Sequence, residues 1–212
     1  MKHRVGVLIS GRGSNMASLL RAAAEPGYPA EVALVLSNRP EAAGLATARE
    51  MGADAVCVDH RPFGRDRAGH ERAVHDELTR RGVELVCLAG YMRLLTPVLV
   101  DAWAGRMLNV HPSLLPAFPG LDTHARALAA GVKLHGCTVH LVTREMDAGP
   151  ILAQAAVPVL PGDTAEALAA RVLVQEHRLY PLALRLLAAG EGGRSEAGAA
   201  LVNPLPPGRN GS

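Results

Sequence analysis

The chain has 212 residues, 49% hydrophobic and 20% charged, enough apolar material to bury one core and to exclude disorder as its general state. Its 22 basic residues are scattered among 20 acidic ones for a net charge of +2, so no charge block predicts a nucleic-acid or membrane partner. Aromatic residues make up only 3%, which leaves little material for base-stacking platforms.

Short β-branched apolar runs alternate with longer amphipathic stretches. Strands are predicted over residues 5–9, 32–36, 55–58, 85–89 and 107–110, and helices over 15–24, 42–51, 67–81 and 96–104. Strict alternation predicts an α/β, doubly wound domain with a mostly parallel sheet, because each right-handed crossover needs a helix's length of chain. After Val110 the rhythm changes to a Pro/Leu loop over 111–119, a short helix over 123–130, and strands over 137–142 and 151–157. Asp163-Thr164 can cap a final helix running to about Ala189, which Pro181 is expected to kink or divide. One domain is expected over 1–189, followed by a loosely held Gly/Pro/Ala-rich tail over 190–212.

Cys57, Cys87 and Cys137 are odd in number, far apart and set in apolar runs, which predicts small core residues in a reducing compartment rather than a disulfide framework or a zinc site. The first apolar run ends at Ser10-Gly11, too soon for a secretory signal or a membrane span, so a cytoplasmic location is expected.

Gly11-Arg12-Gly13-Ser14-Asn15 follows the first strand and opens a helix. Glycines allow close backbone approach, and the free N–H groups of a helix start favour an anion. The dinucleotide fingerprint fails because Met16 stands where its last glycine belongs and no acidic residue ends the second strand. A phosphate monoester fits the loop, and so does a plain tight turn capped by Ser14 or Asn15.

Asn109-Val110-His111 lies where an apolar strand runs into a proline loop. Strand period two sends both polar side chains to one face, where an amide donor and a charged imidazole could meet a carbonyl turning into an oxyanion. A capped loop with a partly buried histidine is the bland alternative. Asp147, between two apolar strands, could orient His111 and favour its charged form, or simply make an Asx turn. The remaining histidines show no metal-ligand spacing and no Gly-x-Ser-x-Gly elbow is present, so neither a metal nor a serine nucleophile is expected.

Together with Leu88-Ala89-Gly90-Tyr91-Met92-Arg93-Leu94-Leu95, Asn109-Val110-His111-Pro112-Ser113-Leu114-Leu115-Pro116 and Met146-Asp147-Ala148-Gly149-Pro150, the glycine loop resembles the phosphoribosylglycinamide formyltransferase family, with the motifs in family order from about Val5 to Tyr180. The resemblance implies formyl transfer from 10-formyltetrahydrofolate to the amine of phosphoribosylglycinamide in purine synthesis, with small-molecule substrates and a monomer or homodimer. Residue by residue, it implies a catalytic trio of Asn109, His111 and Asp147. Gly13, Ser14, Asn15 and Glu176 match positions around the ribonucleotide. Met92, Arg93, Leu94 and Leu95, together with Thr143, Arg144, Glu145 and Met146, match the folate pocket, as does Arg67 at a predicted helix start.

Two positions depart from the family pattern: Asp122 replaces a histidine in Pro119-Gly120-Leu121-Asp122-Thr123-His124, and Leu173 stands where some members carry a glutamine near the substrate. Methionyl-tRNA formyltransferase and formyltetrahydrofolate hydrolase are the rivals on the same fold, and each is expected to need an additional domain. A non-catalytic nucleotide-binding module would use the glycine loop but have no need for the trio.

Overall fold

The computed structural model describes residues 2–190, so the tail expected after Gly190 lies outside the described residues. In chain order the elements are β1 (His3–Ile9), α1 (Ser14–Ala23), β2 (Ala30–Ser37), α2 (Ala43–Glu50), β3 (Ala55–Cys57), a short 3-10 turn (Arg61–Phe63), α3 (Arg67–Arg80), β4 (Leu85–Leu88), α4 (Pro97–Ala102), β5 (Met107–His111), α5 (Thr123–Ala129), β6 (Leu134–Leu141), β7 (Ile151–Pro158) and α6 (Ala165–Ala188).

The strands form one seven-stranded sheet in the order β3-β2-β1-β4-β5-β6-β7. Pairings from β3 through β5 are parallel, whereas β6 runs antiparallel to both β5 and β7. The chain winds outward from β1 to β3 and then returns to place β4 on the other side of β1. That reversal opens a crevice at the carboxyl ends of β1 and β4, the place where open α/β sheets bind ligands.

Side-chain alternation along the strands supplies two cores. Val5, Val7 and Ile9 of β1 pack on one face with Met16 and Leu19 of α1, Leu45 of α2 and Leu179 and Tyr180 of α6. Leu8, Leu34 and Leu36 pack on the other with Val74 and Leu78 of α3 and Leu99 of α4. The Tyr180 hydroxyl, fully buried, lies 3.0 Å from the Leu88 carbonyl and 3.1 Å from that of Leu108, which ties α6 to the two strands that carry the site.

Two expectations need correction. Pro181 does not divide the last helix, which is continuous over Ala165–Ala188. Leu179, Tyr180, Ala183 and Leu184 bury the helix on both sides of the proline, and the Pro181 carbonyl accepts a 2.6 Å hydrogen bond from Tyr28 Oη, so packing keeps the helix going across one missing N–H. Cys57 is exposed, at the end of the edge strand β3, while Cys87 and Cys137 are buried. As expected, Thr164 caps α6, accepting from Ala167 N at 3.2 Å; Asp163 instead pairs with Arg171 at 2.8 Å.

Candidate active site

The glycine loop leaves β1 and turns into α1 through Gly13, whose φ of 74° lies in the left-handed region where a side chain is costly. A Cβ there would sit 3.1 Å from Gly44 Cα and 3.1 Å from Met16 Cε. Gly44 was not visible as a site residue: it lets α2 close on the loop, donating its N–H to Gly11 O at 3.0 Å, and any side chain would strike Ile9 and the loop carbonyls. Met16, in the place of the last fingerprint glycine, is fully buried. Neither Ser14 nor Asn15 caps α1, because Gly13 is the N-cap and no side chain bonds there, so the first N–H groups of α1 stay available to an anion.

Asn15 turns its amide inward and donates to Glu176 Oε2 at 2.6 Å, while its Oδ1 is buried without a partner. Burial pushes the Glu176 carboxyl up, and the Asn15 hydrogen bond pulls it back only in part. A glutamate so disposed opposes a neighbouring phosphate less than a fully ionised one would. Leu173, one turn earlier on α6, is half-buried and brings no polar group.

Asn109 and His111 leave β5 on one face, and the antiparallel register sets His140 of β6 directly opposite Asn109. Asn109 Nδ2 lies 3.2 Å from His140 Nε2, and His140 Nδ1 lies 2.9 Å from Leu141 O. One tautomer satisfies both contacts: Nδ1–H donates to the carbonyl, and Nε2 accepts from the amide. Burial pushes the His140 pKa down, which favours this neutral form and fixes the Asn109 amide with its nitrogen toward the site.

Asp147 approaches from the loop between β6 and β7. Its Oδ2 lies 3.5 Å from His111 Nδ1 and accepts from Gly120 N at 2.8 Å, and its Oδ1 lies 3.8 Å from His140 Nε2. His111 Nε2 lies 3.0 Å from Phe118 O. Both ring nitrogens of His111 therefore face acceptor oxygens. Asp147 is held at φ 55°, and Gly149 lets the loop fold against β6, since a Cβ there would collide with the Leu141 carbonyl. His140 escaped the sequence reading because its place opposite Asn109 depends on strand register, which no spacing along the chain reveals.

The expected folate residues fall in two coil segments. Residues 92–95 follow β4, with Met92 and Leu94 61% and 64% exposed and Arg93 and Leu95 half-buried. Thr143, Arg144, Glu145 and Met146 lead into Asp147, and Met146 is 58% exposed. Arg144 pairs through two nitrogens with Asp101 at the end of α4, at 2.8 and 2.6 Å, which tethers this loop to the helix following the first segment. Arg67 is the first residue of α3 and exposed; its side chain makes no hydrogen bond or ion pair among the described residues. Asp122 is exposed at the start of α5 with φ 55° and makes no side-chain cap. Among the described residues no group of three or more His, Cys, Asp or Glu is arranged to hold a metal ion, and no helix is long and apolar enough to cross a membrane.

The family model for formyl transferase matches residues 3–184. The chain is 43% identical to phosphoribosylglycinamide formyltransferase of Escherichia coli over 87% of this chain and 86% of that protein. It is also 46% identical to the trifunctional purine biosynthetic protein adenosine-3 of Gallus gallus, over 93% of this chain, and spans only 20% of that longer relative. The crystal structure of glycinamide ribonucleotide transformylase 1 from Symbiobacterium toebii superposes with a TM-score of 0.86 at 51% identity, covering 89% of each chain. Phosphoribosylglycinamide formyltransferase from Brucella melitensis superposes with a TM-score of 0.85 at 57% identity, covering 90% of this chain and 97% of that one. By sequence and by fold, the chain belongs to the formyl transferase family, among its phosphoribosylglycinamide formyltransferases.

Proposed function

We propose that this chain transfers the formyl group of 10-formyltetrahydrofolate to the amine of phosphoribosylglycinamide, releasing formylglycinamide ribonucleotide and tetrahydrofolate in purine biosynthesis. The observation that carries the reading is the meeting of Asn109, His111 and Asp147 around His140, on the same sheet whose first strand ends in a glycine loop with a helix start free to take a phosphate.

The substrate amine attacks the formyl carbon, the carbonyl oxygen gains negative charge, and the tetrahedral intermediate collapses as the folate nitrogen leaves. The proton lost by the amine is the one the departing folate nitrogen takes up, relayed through water. Asn109 donates to the developing oxyanion, with its amide orientation fixed by His140. Protonated His111 supplies positive charge at the same atom. Its Nδ1 faces Asp147 across 3.5 Å, longer than a normal hydrogen bond, so the proton there can be shared with the oxyanion or with a water. Asp147 holds that charge in place.

Gly13, Ser14 and Asn15 anchor the phosphate, with Glu176 behind Asn15. Anchoring a part of the substrate that does not react sets the amine at attack distance and converts binding into rate. Met92, Leu94 and Met146 offer apolar surface to the pterin, with Arg93, Leu95, Thr143, Arg144 and Glu145 in the same two segments; Arg67 contacts the folate from α3.

The test is a coupled assay with both substrates against controls that omit the ribonucleotide. Formyl transfer that requires phosphoribosylglycinamide supports the reading. Release of formate at the same rate without it indicates a hydrolase instead.

A further inference from the structure

We propose that Glu71 and Ser10 are positioning residues: from α3 and from the end of β1 they hold the two ends of the 90–96 segment, so that Met92 and Leu94 face the folate as a wall formed before the ligand arrives. The inference rests on the folate reading of that segment and adds residues that touch neither substrate.

The segment between β4 and α4 has no regular secondary structure, yet it points two large apolar side chains into solvent while Tyr91 between β4 and Met92 is buried. Left to itself, such a stretch would lose its shape or turn its apolar groups inward, since ordering each residue costs entropy that exposed contacts do not return. Buried polar groups supply the missing restraint at both ends. At the first end, Ser10 donates its backbone N–H to Gly90 O at 3.1 Å and accepts from Met92 N at 2.8 Å through its hydroxyl, which itself donates to Asn38 Oδ1 at 2.5 Å. Ser10 and Asn38 are 5% and 1% exposed, so these bonds are shielded from competing water.

At the second end stands Glu71, 3% exposed, in the second turn of α3. Its carboxylate accepts from Thr96 N at 2.7 Å, from Thr96 Oγ1 at 2.5 Å and from Leu99 N at 3.2 Å. Burying a carboxylate is unfavourable unless its lone pairs are filled, and every donor given to this one belongs to the segment's end and the helix that follows. Capping α4 does not by itself require it, because Thr96 Oγ1 already accepts from Val98 N at 3.3 Å. The geometry instead fixes where residues 92–95 emerge. A wall held in its bound shape binds with less entropy to lose, which affects folate affinity and leaves the chemical step alone.

Glu71→Gln keeps the size of the side chain but turns an amide toward donors. Steady-state kinetics on the full chain should show the KM for 10-formyltetrahydrofolate rising about tenfold, the effect of one lost charge-assisted hydrogen bond, with kcat and the KM for the ribonucleotide within about twofold of wild type. Ser10→Ala should move the same constant in the same direction. Hydrogen exchange of the peptide spanning 90–99 should quicken in both variants while the β6–β7 peptide is unchanged. Equal rises in the two KM values, a fall in kcat alone, or exchange at the wild-type rate in the 90–99 peptide would each overturn the proposal. A wild-type protein that transfers no formyl group breaks the functional reading before any variant is made, and exchange then decides the clamp independently.

Discussion

The two halves of the candidate site are built differently. On the β1–β4 side, parallel strands deliver continuous stretches of chain: a glycine loop, a free helix start and a coil segment that exposes Met92 and Leu94. On the β5–β6–β7 side, antiparallel strands deliver side chains, and His140 reaches Asn109 across 31 positions while Asp147 meets His111 by way of a strained turn. A glycine turn and a helix start can be recognised in a short window of sequence, whereas a set of side chains converging on one atom needs register, a turn of the right length and a neutral imidazole in the right place.

The largest effects should come from breaking the side-chain half. Asn109→Ala, His111→Ala and Asp147→Asn should each lower kcat by about 10²–10³-fold, or ~3–4 kcal/mol in the chemical step, with ribonucleotide affinity retained by calorimetry. Near-wild-type turnover from His111→Ala would remove the trio from the chemistry. Asp147→Asn is the better choice over alanine because asparagine tolerates the left-handed backbone at that position.

The backbone half should break in binding instead. Gly13→Ala forces a side chain into a left-handed position against Gly44 and Met16, costing about 1–2 kcal/mol of stability, and should weaken ribonucleotide binding more than folate binding. Equal weakening of both, measured by titration of each ligand, would erase the division between the two sides.

A smaller change sharpens the comparison further. His140→Ala removes the acceptor that orients the Asn109 amide, and kcat should fall about tenfold, less than on loss of Asn109 itself. In the double variant the two effects should not add, because they act through one hydrogen bond; full additivity would show that His140 works some other way.

The mildest effect is on stability as a function of pH. Burial, with the neighbouring His124 ring adding to it, depresses His135 to about 4. Its unfolded value is near 6.5. Above that value neither state carries the proton. As pH falls from about 6.5 to about 4, the unfolded chain binds a proton that folded His135 refuses, so stability is lost across that window and not regained below it. His70, His124, His140 and His177 are shifted down for the same leading reason, burial, and push the same way. Urea midpoints should therefore drop between pH 7.5 and pH 5, and His135→Asn should flatten the drop; a midpoint independent of pH would contradict the burial argument.

Much of this is legible in the sequence. Each predicted strand and helix core coincides with an observed element, because apolar period is set by which face must be buried, and burial is the dominant local demand. Elements ended a residue or three from their predicted bounds, with β6 starting at Leu134 rather than Cys137, since the register against β7 extends a strand past its apolar run. The trio was readable as three residues in two motifs. His140 was not, because a histidine among apolar neighbours looks the same whether it faces a core or a crevice. That the last helix runs on through Pro181 is hidden for a related reason: the cost of a proline inside a helix is local, and the packing that outweighs it is not.

The sequence by itself determined the α/β alternation, the glycine turn and the residue types capable of stabilising an oxyanion, because all of these follow from backbone sterics, burial period and side-chain chemistry within short windows. Tertiary structure alone decided which imidazole orients Asn109, which carbonyl holds His111 Nε2 and which buried carboxylate grips the 90–96 segment. Those contacts join residues far apart in the chain, and their geometry exists only once sheet register and helix packing have set both partners in place.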